Sequence, residues 1–302
     1  MFKKILLVLL VVSAPLFAET DVPHEKMTPV QAVVLGLVEG VTEYLPVSST
    51  GHLILASQAM GMGKDETFRT SVNTYLIVIQ IGAIFAVITV YGDYIKKLLL
   101  GLVNKSEEGR KLLISLVIAF IPAAVVGLLM DDLISQYLYG LWVTSAAWFL
   151  GGLALLKWNG QEDPEHHALH MNDLSVKQAL LIGCMQVIAM WPGVSRSLVT
   201  IIGGRMVGLT LRHSVIFSFL LGMITLSAAT GYKLLDSGSE MLESLGLQTI
   251  LIGIVVAYFS AWIAVKSMVA YLKKHGLGIF GAYRIVLAVI TVLLLSAGYI
   301  EA

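Results

Sequence analysis

Two carboxylates and three neighbouring hydroxyl groups lie close together in one apolar stretch of the sequence. Glu39 and Glu43 are four residues apart, so both point to the same side of a helix. The segment Pro46-Val-Ser-Ser-Thr-Gly-His52 then breaks that helix and opens another, whose first amides are free and lie at the positive end of its dipole. Carboxylates that face such an anion-attracting helix start indicate a cation bridging to a phosphate group.

A second segment of this kind reads Trp191-Pro-Gly-Val-Ser-Arg-Ser197. A hydroxyl-rich helix start beside a guanidinium predicts a site that grips an oxyanion, with Arg196 as its charge and with hydroxyl donors from Ser195, Ser197 and Thr200. Helix capping would account for the serines, but it does not require charged side chains at membrane depth. We therefore expect the charged residues of both segments to be functional.

Together these residues suit phosphoryl transfer. Either the Ser49 hydroxyl or the His52 imidazole attacks phosphorus, the two carboxylates hold a divalent cation, and Arg196 neutralises the developing charge. The hydroxyls of Ser48 and Thr50 are expected to help bind the substrate. The sequence does not choose between Ser49 and His52 as the nucleophile.

Arg284 is a further cation inside the last apolar run of the chain. Two interpretations have equal weight: a structural residue that pairs with a carboxylate, or a second ligand of the phosphate. We include it among the predicted substrate-binding residues. Because an ionised side chain is expensive at such depth, it needs partners in either case.

The elements that must position these residues belong to a membrane protein. The 302-residue chain is 57% hydrophobic and 13% charged, whereas soluble domains carry about 25% charged residues. Its formal net charge is zero, so nothing indicates a nucleic-acid partner. The single cysteine, Cys184, excludes a disulfide framework or a thiolate metal cluster.

The first 26 residues read as a signal-like extension, with Lys3 and Lys4 before an apolar run that ends near Ala18. A cleaved signal and a retained anchor are both open. Residues 27–302 form a single membrane-embedded domain in this interpretation.

Within that domain, apolar runs long enough to span a bilayer predict six transmembrane helices, at 72–92, 112–130, 138–156, 214–232, 247–272 and 279–299. The segments 28–60 and 175–209 each contain two arms too short to cross, so each is predicted to enter and return on one side. Basic segments at 93–111, 157, 205–212 and 273–274 then lie inside, and acidic turns at 131–132 and 236–243 lie outside, as the positive-inside rule requires. The histidines at 166, 167 and 170 are interpreted as part of an exposed loop.

The chain also contains an internal repeat. Residues 31–39 align without a gap with residues 178–186, and the match continues to Ser48 and Ser195. Thr28 and Ser175 are placed as equivalent N-caps. Each half (28–157 and 175–300) holds a broken helix pair and three spans; because three is odd, the second half must be inverted. The predicted fold is an all-α polytopic membrane protein with an inverted-topology repeat.

The two segments resemble the signature motifs of the undecaprenyl-diphosphate phosphatase family, the bacitracin-resistance proteins of the bacterial cytoplasmic membrane. The motif residues are Glu39-x-x-x-Glu43, Pro46-Val-Ser-Ser-Thr-Gly-His52 and Pro192-Gly-Val-Ser-Arg-Ser-x-x-Thr200. The resemblance implies hydrolysis of undecaprenyl diphosphate, one site open to the outer face, and activity with Mg²⁺ or Ca²⁺. It further implies that Glu39 and Glu43 act with the metal, that Ser49 or His52 is nucleophile or acid–base, and that Arg196 with its neighbouring hydroxyls binds the diphosphate. The N-terminal extension departs from the family pattern.

A rival function is a transporter of an anionic lipid or of phosphate through the inverted-repeat core. The carboxylates beside Ser49 and His52 favour the enzyme, because moving an anion needs arginines but not adjacent acids. The expected partner is a polyprenyl diphosphate lipid within the membrane, and a homodimer is left open.

Overall fold

The computed structural model describes residues 27–62, 66–159, 169–272 and 274–300. The N-terminal extension, His166, His167 and Lys273 lie outside the described residues. Throughout the described ranges the chain is helical, with no β-strand beyond an isolated bridge between Leu169 and Leu209.

Seven α-helices make up the described part of the first half: α1 (Pro29–Thr42), α2 (Ser49–Ala59), α3 (Glu66–Val78), α4 (Gln80–Val90), α5 (Gly92–Leu102), α6 (Glu107–Leu138) and α7 (Leu141–Trp158). A short 3₁₀ helix, Met171–Asp173, leads into the second half. There the α-helices are α8 (Val176–Ile188), α9 (Arg196–Met206), α10 (Leu211–Leu245), α11 (Leu247–Leu272) and α12 (Gly278–Ser296).

Six helical segments are long and apolar enough to cross a membrane, which confirms the predicted number of spans. They are Phe68–Val90, Glu107–Met130, Leu141–Trp158, Leu211–Leu245, Leu247–Leu272 and Gly278–Ser296. The first span is not continuous, because α3 and α4 are separated at Ile79. The segments α1, α2, α8 and α9 are shorter, at 14, 11, 13 and 11 residues.

Three predicted loops are wrong in detail. The basic segment 93–111 contains helix α5, and the acidic turn at 131–132 is helical because α6 continues to Leu138. The acidic segment 236–243 belongs to α10, whose 35 residues extend about 52 Å at 1.5 Å per residue. This extension stays helical because Met241 and Leu245 are buried in an apolar cluster that also holds Leu35 of α1.

The two halves repeat each other in local structure. Thr28 and Ser175 are both N-caps, and each completes a capping box with the glutamine three residues later, Gln31 or Gln178. The predicted caps are therefore confirmed. The start of the second short helix is also the same in each half, because Ser48 and Ser195 cap α2 and α9 with φ of 73° and 79°.

The first short helix of each half packs against the second span of the other half. Helix α1 packs along α11, and its equivalent α8 packs along α6; the third spans, α7 and α12, pack on each other. Equivalent glycines permit the first two contacts: a Cβ on Gly36 would lie 2.6 Å from the carbonyl oxygen of Gly253, and one on Gly183 would lie 2.5 Å from that of Ala119. This exchange is what two-fold related halves require, and their opposite orientation in the membrane stays a prediction.

Candidate active site at two helix breaks

The site forms where two interruptions in the helices meet. We call residues 43–48, between α1 and α2, the first break, and residues 189–195, between α8 and α9, the second break. Three consecutive carbonyls of the first break, at Leu45, Pro46 and Val47, accept hydrogen bonds from side chains of three different helices: Ser197 of α9 (3.0 Å), Arg284 of α12 (3.2 Å) and Trp148 of α7 (3.0 Å). Irregular backbone at membrane depth is thereby satisfied within the protein.

Each break ends in a serine with left-handed backbone geometry. Ser48 and Ser195 have positive φ, a conformation that costs about 1–2 kcal/mol in a non-glycine residue and persists only where its surroundings impose it. Each hydroxyl oxygen accepts a backbone N–H of the following helix, from Gly51 and from Leu198. The sharp turn places the next residue, Ser49 or Arg196, at the first position of its helix.

Glu43 is the centre of the site. One carboxylate oxygen, Oε2, accepts a hydrogen bond from the Ser49 hydroxyl, and the other, Oε1, accepts one from Nη2 of Arg196 at 2.7 Å. Glu43 and Arg196 are 153 residues apart in sequence, and their side chains are only 5% and 11% exposed. The structure thus brings together three of the predicted catalytic residues: Glu43 at the start of the first break, Ser49 directly after it and Arg196 directly after the second break.

The Arg196 guanidinium is held on several sides. Nη1 donates to the carbonyl of Ser218 at 2.9 Å, and the guanidinium carbon lies 5.3 Å from the centre of the Tyr44 ring. Gly222 of α10 leaves the space for this group, because a Cβ there would collide with the guanidinium. Nε has no hydrogen-bond partner among the described residues, so the cation keeps a free donor for an anion.

Glu39 is fully buried one helical turn before Glu43. Neither of its carboxylate oxygens has a hydrogen-bond partner in the described part of the chain. A buried carboxylate without a partner is costly, and a bound cation would remove that cost. Among the described residues no group of three or more His, Cys, Asp or Glu could hold a metal. Mg²⁺ commonly takes one or two carboxylates and completes its shell with water and substrate phosphates, so a divalent cation at Glu39 and Glu43 stays a prediction.

His52 does not contact Ser49 through its ring nitrogens. Nδ1 lies 2.6 Å from the carbonyl oxygen of Ser48, and Nε2 lies 2.8 Å from the hydroxyl of Tyr283. The imidazole is 1% exposed and packs edge-on against Trp148, with ring centres 5.2 Å apart. Of the two predicted nucleophiles, Ser49 is the one whose reacting atom faces a potential base.

Arg284 matches neither of its two interpretations closely. It is fully buried and donates to four backbone carbonyls rather than to a carboxylate: those of Pro46, Ala147, Trp148 and Gly193, at 2.8 to 3.3 Å. These bonds use four of its five N–H donors. Pro46 is in the first break and Gly193 in the second, so Arg284 links the two breaks. Its predicted role in binding substrate has no support from these contacts.

The other predicted substrate-binding hydroxyls differ in burial: those of the second half are buried, whereas Thr50 of the first half is partly exposed. Ser195 and Ser197 are bonded to each other at 3.0 Å, and Thr200 donates to the Arg196 carbonyl at 2.8 Å and is bonded to the Ser218 hydroxyl at 2.7 Å. These three are buried and stabilise the second break. Thr50, at the start of α2, is only half-buried.

The sequence did not identify four side chains or positions that shape the site: Trp148, Ser218, Gly222 and Tyr283. All four are of ordinary types for an apolar span. A signal was present in Gly222, because a glycine within a predicted span often marks a close approach by another group. The other three become visible only when the halves are assembled.

Fold and site together define a polytopic membrane protein with a Glu–Ser–Arg cluster at the meeting point of two interrupted helices. A model of the family described as bacitracin resistance protein BacA matches residues 32–290. The chain belongs to this family.

Curated relatives cover most of the chain. An undecaprenyl-diphosphatase of Sorangium cellulosum is 38% identical over 259 residues, which are 85% of this chain and 83% of the relative. An undecaprenyl-diphosphatase of Acinetobacter baumannii is 38% identical over 88% of this chain and 95% of the relative. An undecaprenyl-diphosphatase of Rhodopseudomonas palustris is 35% identical over 89% of this chain and 98% of the relative.

Proposed function

We propose that this protein hydrolyses undecaprenyl diphosphate to undecaprenyl phosphate and inorganic phosphate. Membership of the bacitracin resistance family and the names of its relatives support this activity. The observation that carries it is the bond from the Ser49 hydroxyl to Glu43, whose other oxygen is bound by Arg196. A hydroxyl on a carboxylate beside a guanidinium is the arrangement that nucleophilic attack on phosphorus needs.

In the proposed reaction Ser49 Oγ attacks the terminal phosphorus while Glu43 accepts the hydroxyl proton. The bond between that phosphorus and the bridging oxygen breaks, undecaprenyl phosphate leaves with the bridging oxygen, and the phosphoryl group remains on Ser49. Water then attacks this phosphoserine and the bond from phosphorus to Ser49 Oγ breaks. Inorganic phosphate leaves with the oxygen of the water, and Oγ takes back the proton that Glu43 holds. Arg196 neutralises the charge on the phosphoryl oxygens in both steps.

We further propose that Glu39 holds a divalent cation, Mg²⁺ or Ca²⁺, with Glu43 as its neighbour. Such an ion would offset the negative charge of the diphosphate as the bridging bond breaks. The unpartnered and buried carboxylate of Glu39 supports this assignment.

The cellular role that follows is recycling of the lipid carrier for cell-wall precursors, and through it resistance to bacitracin. The proposed location is the bacterial cytoplasmic membrane, with the site open to the outer side. Support comes from the six spans together with the basic segments that the positive-inside rule assigns to the cytoplasm.

Phosphate release from a C55 prenyl diphosphate by the purified protein tests the activity. Release should require Mg²⁺ or Ca²⁺ and stop with EDTA. Ser49→Ala should reduce release to background, and Arg196→Lys should reduce it roughly 10²- to 10³-fold, because an ammonium lacks the planar fork that grips a phosphoryl group.

Ser57→Ala is the matched control, since Ser57 is a second buried serine of α2 and its hydroxyl donates to the Ile54 carbonyl. It should keep wild-type activity. No release from folded wild-type protein, together with movement of a labelled prenyl phosphate across proteoliposomes, would instead establish the rival transporter.

A further inference from the structure

The hydroxyl of Tyr283 is the side-chain group bonded to the imidazole of His52, and the proposed reaction gives it no role. The two residues are 231 positions apart in sequence, and the distance from Nε2 to the hydroxyl oxygen is 2.8 Å. Tyr283 is 6% exposed and lies on α12 directly before Arg284. Four hydrogen bonds to backbone carbonyls fix Arg284, so this turn of α12 is anchored to both breaks.

The second nitrogen of the imidazole determines where its proton lies. Nδ1 is 2.6 Å from the Ser48 carbonyl oxygen, which can only accept a hydrogen bond. Nδ1 must therefore carry a hydrogen. In the neutral imidazole Nε2 is then the unprotonated nitrogen, and the Tyr283 hydroxyl donates to it.

A hydroxyl is suited to this position because it both donates and accepts. If Nε2 gains a proton, the Tyr283 hydroxyl can turn and accept from it, so one partner serves both protonation states of His52. An amide or a carbonyl could serve only one of them without moving.

The rings also fix the orientation of His52. The Tyr283 and His52 rings are nearly parallel, with an interplanar angle of 6° and centres 5.7 Å apart, while Trp148 lies edge-on at 64°. The imidazole is therefore held by a bond at each nitrogen and by an aromatic ring on each of two sides. Its orientation is set by α12 as much as by its own helix.

We propose that Tyr283 is a positioning residue for His52: its hydroxyl holds the imidazole with the proton on Nδ1, so that Nδ1 fixes the Ser48 carbonyl at the turn that places Ser49. The argument rests on the proposed phosphatase activity, in which the Ser48 carbonyl bound by Nδ1 of His52 directly precedes the attacking Ser49. Partners that orient a metal-bound histidine are worth about 10- to 100-fold, and we expect an effect of the same order here.

Tyr283→Phe tests the proposal, because it removes the hydroxyl and keeps the ring. We expect kcat for phosphate release to fall about 10- to 100-fold, with KM changed less than about threefold. In a His52→Gln background the same substitution should have no further effect on the residual rate, since Tyr283 acts through His52.

The matched control is Tyr75→Phe. Tyr75 is another buried tyrosine in a span, and its hydroxyl also makes a long-range hydrogen bond, to the Ala32 carbonyl at 3.4 Å. It lies outside the site, so its loss should leave kcat unchanged. If Tyr283→Phe and Tyr75→Phe have the same kcat, or if Tyr283→Phe lowers the rate equally in both backgrounds, Tyr283 is only a packing residue.

A second measurement is independent of activity. Nitrogen-15 NMR of histidine-labelled protein, assigned by the signals missing in His52→Gln, should show His52 protonated on Nδ1 with a hydrogen bond at Nε2. In Tyr283→Phe the Nε2 signal should move to that of an unbonded nitrogen. The opposite tautomer in the wild type would overturn the proposal even if the enzyme is active. The expected tautomer in a protein that releases no phosphate would instead reject the phosphatase activity alone.

Discussion

The two breaks end in the same backbone turn but carry different chemistry. Both end in a serine of positive φ that caps the next helix. At aligned positions in the helices beside the breaks, the first half has Glu39 and Ser49, whereas the second half has Gln186 and Arg196.

Acids and the nucleophile therefore belong to one half and the main cation to the other. The histidine of the first half, His52, likewise corresponds to Val199. In the proposed reaction the first half therefore attacks and the second half binds the phosphoryl group. Neither half alone contains the pair formed by Glu43 and Arg196.

The largest effect is expected when a residue of the first half is replaced by its counterpart from the second half. Glu39→Gln installs the residue that the second half already carries at Gln186. Release of phosphate should fall roughly 10²-fold, and half-maximal activity should need more Mg²⁺, because a neutral amide is a weaker ligand for a hard cation. A metal titration of both proteins measures this.

The matched change in the other half is Gln186→Ala. Gln186 is buried and its Oε1 accepts a bond from Thr225 at 3.2 Å, outside the Glu43 cluster. This variant should keep the wild-type metal response. An unchanged titration for Glu39→Gln would refute cation binding by the first half.

A smaller effect should follow from displacing the Arg196 guanidinium without removing it. In Gly222→Ala the new Cβ would collide with the Arg196 guanidinium, which must then shift away from Glu43. Misplacement of about 1 Å costs up to about 10²-fold in rate, so we expect a 10- to 100-fold loss in kcat/KM.

Gly231→Ala on the same helix has open space around the new methyl group and is the control. Wild-type activity in Gly222→Ala would mean that the position of Arg196 is not critical. A thermal unfolding curve in detergent separates lost activity from lost folding.

The smallest effect is expected from removing the capping boxes, which both halves have in common. Thr28→Ala and Ser175→Ala each remove one capping box, and each should reduce the free energy of unfolding by about 1 kcal/mol with no change in kcat. Equal losses would agree with equivalent roles for the two caps. A large loss at only one cap, measured by thermal unfolding, would break the comparison.

Much of this arrangement could be predicted from sequence because its signals are local. Apolar length predicted six spans, and the Pro- and Gly-containing segments predicted both breaks. The family resemblance further implied one site for both segments, in which Glu43 and Arg196 meet. The acidic end of α10 was missed, because its burial depends on contacts with residues far away in sequence.

The partners of Arg284 and Tyr283 could not have been predicted in the same way. Arg284 binds backbone carbonyls, which every residue has, so no residue type reveals them. Tyr283 is distinguished only by its distance from His52, which results from the packing of α12. Sequence showed which groups are chemically unusual, and the structure showed which ordinary groups hold them.

The three carbonyls of the first break have a consequence for biosynthesis. Two of their partners, Ser197 and Arg284, lie in the second half and are translated long after residues 45–47. The Leu45 carbonyl also accepts the N–H of Val47, but the Pro46 carbonyl lacks this side-chain partner until Arg284 arrives, and an unsatisfied group in hydrocarbon costs several kcal/mol. The reactive centre is therefore completed only when nearly the whole chain has been synthesised, and a chain truncated before α12 would be a target for membrane quality control.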